Sequence, residues 1–183
     1  MQLKLLKRNN VYRGRVFNII VDEVEYPSGN RAVREVAEHG GGAVVLAVFP
    51  DHRIILVHQH RYPLNEFILE LPAGKLEKAE DPLHCAQREL EEETGYHAST
   101  WKKLTSIYTT PGFCSEILHI YLATGLTPAP GGRKLEEGEL TMSLRFVSLE
   151  ESIAMIDKGE IRDGKSICGI MTGDRIIRKE KLL

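Results

Sequence analysis

The sequence predicts an α+β protein, one sheet system flanked by a few helices. Runs rich in β-branched residues, separated by clusters of Pro, Gly, Asn and Asp, recur from residue 16 to residue 148. Only three stretches, near 82–94, 149–158 and 165–178, carry helical periodicity. The chain has 183 residues, of which 42% are hydrophobic, enough to bury one normal core with a small appendage.

Residues 16–25 and 31–38 form a predicted β-hairpin, because Pro27-Ser28-Gly29-Asn30 between them supplies turn chemistry. GAVVLAVF (42–49) and RIILVHQH (53–60) follow as strands on either side of Pro50-Asp51-His52, the first apolar enough to be buried on both faces. FILEL (67–71) is a short strand stopped by Pro72. Asp81 suits the N-cap, Pro82 the first helical position and Gly95 the position after the last turn, which bounds a helix over 82–94. Leu83, Ala86 and Leu90 give that helix a buried stripe, with its acids projecting elsewhere. Strands are expected at 101–109, 117–123 and 142–148, the last two joined by the Pro- and Gly-rich loop TPAPGGRKLEEGEL. Two helices close the chain, the second running into the basic segment RIIRKEKLL.

Charge narrows the function classes. With 24 Lys plus Arg against 26 Asp plus Glu, the net of −2 gives no general reason to expect nucleic acid or an anionic membrane as partner. Any phosphate recognition must be local. Cys85, Cys114 and Cys168 are odd in number and lack C-x-x-C spacing, which fits neither a disulfide framework nor a zinc site and points to a reducing cytoplasm. MQLKLLKRNN at the amino terminus has no apolar core, and no apolar run approaches the roughly 18 residues of a membrane span, so neither secretion nor anchoring is expected.

The chemistry concentrates in GKLEKAEDPLHCAQRELEEETGY (74–96). Glu89, Glu92 and Glu93 lie three and four residues apart, so their carboxylates converge within one helical turn, where like charges repel by roughly 0.2 to 0.5 kcal/mol per pair. Charge runs usually just face solvent. Here, however, Arg88 can brace Glu92, and gathered hard oxygen donors suit Mg²⁺ or Mn²⁺, ions that share their coordination with substrate phosphates. His58 and His60, on one face of a strand, fit such ions less well and are read as surface or core-edge residues.

The spacing Gly74, Glu80 and Arg88-Glu89-Leu90-Glu91-Glu92-Glu93-Thr94-Gly95-Tyr96 resembles the Nudix box, G-x5-E-x7-R-E-U-x-E-E-x-G-U, where U is bulky and apolar. All seven fixed identities are met, with a chance on the order of 10⁻⁸ to 10⁻⁹ per starting position. Tyr96 departs only in being aromatic, and should still pack. The resemblance implies a Nudix fold, an α/β/α sandwich around a mixed β-sheet, here with an N-terminal β-hairpin extension over 1–40 before a hydrolase domain over 41–183. It implies divalent-metal hydrolysis of a nucleoside diphosphate linked to another moiety. Glu89, Glu92, Glu93 and the backbone carbonyl of Ala73 would hold the metal, and Arg88 and Glu80 would orient the box.

Flanking segments narrow the resemblance to the ADP-ribose pyrophosphatase branch: VREVAEHGGGAVVLAV (33–48), QHRYP (59–63), ELPAGKLE (70–77) and TPGFCSE (110–116), with Pro111 fifteen residues beyond the box. A diphosphate needs cations beyond the metals, and Arg34 and Arg61 stand where the branch uses arginines. Phe17 would stack on adenine, with Tyr12 or Tyr26 as substitutes. Gly112 and Phe113 would approach the terminal ribose, with Glu116 accepting from a hydroxyl. The branch carries its acidic base on the loop represented here by Glu137-Gly138-Glu139, either glutamate fitting the role, and the glycine would let the loop swing over substrate. The resemblance thus implies Mg²⁺-dependent cleavage of ADP-ribose to AMP and ribose 5-phosphate by a homodimer built through the amino-terminal strands. GDP-mannose, another sugar nucleotide or a dinucleoside polyphosphate are the alternative substrates, and a non-cleaving ADP-ribose sensor is the alternative of a different class.

Overall fold

A computed structural model describes residues 2–181; the last two residues of the basic carboxyl-terminal segment lie outside the described part. The chain divides into two units, Met1–Gly41 with Tyr108–Ile117, and Gly42–Ile107 with Leu118–Leu183.

In the first unit β1 (Lys4–Arg13), β2 (Phe17–Glu25) and β3 (Arg31–His39) form an antiparallel sheet in the order β1-β2-β3. The expected hairpin pairs from Phe17 with His39 to Glu25 with Arg31, and its turn closes with Tyr26 N–H donating to the Asn30 carbonyl at 2.8 Å. The sequence reading missed β1, which turns the hairpin into a three-stranded meander. Its apolar residues come in adjacent pairs, Leu5-Leu6 and Val11-Tyr12, and the strand is largely exposed, so no hydrophobic alternation announces it. Arg8 on β1 holds the buried Asp22 on β2 through two hydrogen bonds of 2.9 and 2.7 Å. Along the free edge of β3, Ala37 bridges Cys114 in parallel, Ala37 N–H donates to Phe113 O at 2.8 Å, and Ser115 N–H donates to Ala37 O at 3.0 Å.

The second unit is built on β4 (Gly42–Ala47), buried along its whole length as the apolar run predicts. Alternate side chains feed two cores. Val44, Leu46 and Val48 join a cluster with residues of α2 (Leu149–Asp157) and α3 (Gly164–Glu180), including Met155, Ile170 and Ile177. Ala43, Val45 and Ala47 join Cys85, Ala86 and Leu90 at the other helix, α1 (Pro82–Glu89) and the turn after it. A strand with helices on both faces is the α/β/α arrangement the resemblance implied.

β4 lies in a four-stranded mixed sheet, β7-β4-β9-β8, parallel to β9 (Ile117–Pro128) and antiparallel to β7 (Ala73–Lys75), with β8 (Tyr96–Tyr108) at the edge. β5 (Arg53–Arg61) is the centre of a second, antiparallel sheet between β10 (Ser143–Ser148) and β6 (Glu66–Glu70). Tyr96 packs edge-on against Phe49 at 5.4 Å between ring centroids, as an aromatic at that position should. His58 and His60 both pack on the exposed Phe67 at 5.3 Å, in keeping with the surface or core-edge role expected of them. Among the described residues no helix is long and apolar enough to cross a membrane, and Cys85, Cys114 and Cys168 are all free.

Candidate active site

The site grows from the punctuation of α1. Asp81 caps the helix, its carboxylate accepting from the N–H groups of Leu83 and His84 at 2.9 and 3.4 Å, and Pro82 occupies the first turn. The α-helix ends earlier than the sequence predicts. From Leu90 to Thr94 the chain widens into a π-helical turn, with the Thr94 hydroxyl donating to the Leu90 carbonyl, until Gly95 stops it in the left-handed region at φ 73°. Such wide turns are frequent at functional sites. Gly95 fits because a Cβ is disfavoured in that conformation.

The widened turn corrects one expectation. The acids do not all project away from the core: Glu89 is 8% exposed and Glu93 only 2%, while Glu92 is half-buried. Arg88 is the positive partner within the chain. Its guanidinium donates to both oxygens of Glu80 at 3.0 and 3.1 Å, to Glu89 Oε1 at 2.6 Å, to Glu92 Oε2 at 3.0 Å and to the Lys75 carbonyl at 3.1 Å. Hydrogen bonding to Glu80 chiefly raises the Arg88 pKa, and the same contact holds the Glu80 carboxyl below its ordinary range. Glu93 turns the other way, its Oε2 accepting from Ala73 N–H at 3.0 Å. With Arg88 between Glu89 and Glu92, and Glu93 on the β7 backbone, no three acidic, His or Cys side chains among the described residues form a ready-made metal cage.

The donor set nevertheless suits a hard divalent cation. Burial, partly offset by Arg88, raises the Glu89 pKa. Burial and then the neighbouring charge of Glu89 push Glu93 up to about 8. These are carboxylates short of positive charge, the condition a bound dication relieves. Backbone approach is prepared as well: a Cβ on Gly74 would stand 1.8 Å from Glu89 Oε1, so only glycine leaves room for that carboxylate.

The loop between β9 and β10 is stitched to the far end of the π-turn. Ala129 N–H donates to Gly95 O at 2.7 Å, Lys134 N–H to Glu92 O at 2.9 Å, and Arg133 Nε to Glu93 O at 2.6 Å. Lys134 Nζ also reaches Glu91 at 2.8 Å. Farther on, Glu137–Glu139 forms a single 3₁₀ turn closed by a capping box in which the Glu139 side chain accepts from Glu136 N–H at 3.1 Å. The charge of Glu139 adds to the forces raising Glu89 and Glu93.

Arg61, at the end of β5, is not a free strand-end cation. It forks onto the buried Glu70 with two bonds of 2.7 and 2.6 Å, and Glu70 is also held by Lys165 at 2.7 Å and Gln59 at 3.3 Å. Burial pushes the Glu70 pKa upward, but the hydrogen bond from Arg61 and the charge of Lys165 outweigh it and the carboxyl is held below its ordinary value. Hydrogen bonding to Glu70, with further help from the charge of Glu93, raises the Arg61 pKa. The sequence reading passed over Glu70, Lys165 and Arg133. The one available signal was Arg133-Lys134 as the basic pair in an otherwise acidic loop.

The other named residues belong to the first unit. Arg34 lies over the Tyr26 ring, 5.6 Å from its centroid, and donates to the Tyr26 hydroxyl. Phe17 is 42% exposed beside Tyr12, their rings 6.2 Å apart. Phe113 is exposed, Gly112 has open space where a Cβ would lie, and Glu116 Oε1 is 3.3 Å from His39 Nδ1.

The chain resembles known proteins along most of its length. The profile of the NUDIX domain matches residues 32–168. The chain is 41% identical over 170 residues, 93% of its own length and 91% of the relative's, to an ADP-ribose pyrophosphatase of Bacillus subtilis (strain 168). It is also 41% identical over 167 residues, 91% and 90% of the two chains, to a methanol dehydrogenase activator of Bacillus methanolicus. A crystal structure of an ADP compounds hydrolase superposes with a TM-score of 0.84 at 20% identity, covering 100% of this chain and 98% of that one.

Proposed function

We propose that this chain, which belongs to the Nudix family, hydrolyses the diphosphate bond of ADP-ribose, giving AMP and ribose 5-phosphate with Mg²⁺ or Mn²⁺ as cofactor. The observation that carries the reading is the pair of buried, charge-starved carboxylates Glu89 and Glu93 beside Gly74, in a chain so similar to a curated ADP-ribose pyrophosphatase.

Glu89, Glu92, Glu93 and the Ala73 carbonyl are the groups that would hold the cation. When bound, it would neutralise charge on the cleaved diphosphate and lower the pKa of water. Arg88, locked by Glu80, keeps Glu89 and Glu92 in place until then. Arg61, fixed in orientation by Glu70, offers a set guanidinium to a phosphate oxygen. Arg34, Phe17, Gly112, Phe113 and Glu116 are the proposed contacts to adenosine and terminal ribose. A carboxylate of the 137–139 turn, on Glu137 or Glu139, takes the proton from attacking water. The exposed apolar residues Leu5, Val11 and Val33 of the amino-terminal sheet support a homodimer formed through that sheet, and the free cysteines fit a cytoplasmic location.

The deciding assay is purified protein with ADP-ribose, with and without Mg²⁺, products resolved chromatographically. AMP and ribose 5-phosphate should appear only with the cation. A tenfold preference for GDP-mannose in a parallel panel, about 1.4 kcal/mol of discrimination, would end the substrate assignment, and tight binding without turnover would indicate a sensor. Gly74→Ala supplies a second check, because the methyl must displace the Glu89 carboxylate. The rate should fall by about tenfold or more while stability drops by only about 1 to 2 kcal/mol; an unimpaired rate in a variant with a normal urea melt would show that Glu89 need not sit there.

A further inference from the structure

Among the described residues, Arg133 is the one whose buried side chain has a polar atom without a hydrogen-bond partner. Its Nε donates to Glu93 O at 2.6 Å and its Nη1 to Met142 O at 3.1 Å. Met142 N–H in turn donates to Glu139 O at 2.7 Å. One planar guanidinium therefore ties the last turn of the acid segment to the residue that closes the 137–139 turn. Its third nitrogen, Nη2, is buried and has no hydrogen-bond partner among the described residues. An unsatisfied buried donor on a charged group is expensive.

The bonds just described bring two acidic residues next to the open donor, Glu93 through its carbonyl on Nε and Glu139 through its carbonyl on Met142 N–H. Glu93 is already committed, since its Oε2 accepts from Ala73 N–H. Glu139 is held only by the backbone N–H of Glu136 within its own short turn, and a Cβ on Gly138 beside it would meet nothing within 4 Å. We infer that Arg133 is a positioning residue whose Nη2 is the docking donor for the Glu139 carboxylate, so that Glu139 and not Glu137 is the loop acid presented to the metal-binding glutamates. The functional consequence rests on the hydrolase reading above; the contact itself does not. Arg133 touches neither substrate nor reacting atoms in this scheme. It sets the place and charge of the group that does.

A pair of double-mutant cycles tests this. Glu139→Gln keeps the capping box, which glutamine also satisfies, and removes only the charge. Arg133→Met removes the fork, and Arg133→Lys keeps a positive charge should the methionine variant fold poorly. In the kinetic cycle, Glu139→Gln should lower kcat by about 100-fold and Arg133→Met by about tenfold, with KM for ADP-ribose moving less than about threefold. The double variant should be no slower than Glu139→Gln alone, whereas Arg133→Met with Glu137→Gln should show multiplied losses.

The second cycle needs no substrate. Urea unfolding of the same proteins in chelator should show the Arg133 and Glu139 substitutions coupled by about threefold or more in the unfolding equilibrium constant, and the Arg133 and Glu137 substitutions independent. Additivity of the Arg133 and Glu139 changes in this cycle overturns the inference whatever the kinetics. If the wild-type protein leaves ADP-ribose intact, the substrate reading falls, and the unfolding cycle alone decides the contact.

Discussion

Glu93→Gln is expected to make the metal-free protein more stable above pH 8 while cutting its hydrolysis of ADP-ribose on the order of 10²- to 10³-fold. Burial and the charge of Glu89 raise the folded-state pKa of Glu93 from 4.5 to about 8. The folded protein thus binds this proton more tightly than the unfolded chain. The stability contributed by Glu93 is full below pH about 4.5 and is lost as pH rises through about 8. Each pKa unit corresponds to about 1.4 kcal/mol, so the rise from 4.5 to about 8 makes the total loss of order 5 kcal/mol in chelator. Glutamine keeps an oxygen for Ala73 N–H and carries no charge at any pH, so the variant should lack this slope. Millimolar Mg²⁺ or Mn²⁺ should stabilise the wild type at pH 8.5 and leave the variant nearly unchanged. The measurement is urea unfolding from pH 5 to 9 for both proteins; parallel profiles would mean that Glu93 is not held as an uncompensated buried acid.

Glu70→Leu is expected to destabilise the protein by about 3 to 5 kcal/mol, the range for breaking a buried ion pair from one side. The carboxylate is buried between the Arg61 fork and Lys165, and Lys165 is itself mostly covered while also bonded to Asp163 at 2.9 Å. Removing Glu70 leaves Arg61 without its carboxylate and Lys165 with Asp163 alone. Adding Lys165→Met to Glu70→Leu should recover part of the loss, since it removes one of the two cations. Because Glu70 is held below its ordinary pKa, its contribution is present at neutral pH, above the unfolded carboxylate pKa, and is lost as pH falls through the still lower folded value. This dependence is opposite in sign to that of Glu93, which separates the two in one pH series. In the same variant the freed Arg61 should raise KM for ADP-ribose more than it lowers kcat, as expected when ground-state orientation is lost. A Glu70→Leu melt within about 1 kcal/mol of wild type would show that the network is not what orders Arg61.

The parts of this fold that are legible in the sequence are those written in local chemistry. Asp81, Pro82 and Gly95 announce the ends of the acid-bearing segment by their backbone preferences. The unbroken apolar run in β4 announces burial on both faces, and Glu80 and Arg88 announce a bracing pair by their place in the box. What escapes depends on non-local geometry. Periodicity does not distinguish an α-helical from a π-helical turn over the five residues Leu90–Thr94, so the burial of Glu93 is hidden. The strand β1 has no apolar face to betray it. Arg133 acts through backbone carbonyls of Glu93 and Met142, and a carbonyl has no signature in the amino-acid letters. The fold class and the acidic constellation are thus readable, and the network that orders them is not.

The edge of β3 is completed by chain that comes much later, since Phe113 and Ser115 bond to Ala37 and everything from Gly42 to Ile107 intervenes. During synthesis on the ribosome the first three strands therefore emerge with one flank bare, a ready template for pairing with a neighbouring nascent chain. Early translation pauses before residue 115 should accordingly favour clumping over productive maturation, and the yield of recombinant material should respond to tempo and temperature more than the finished molecule's robustness would suggest.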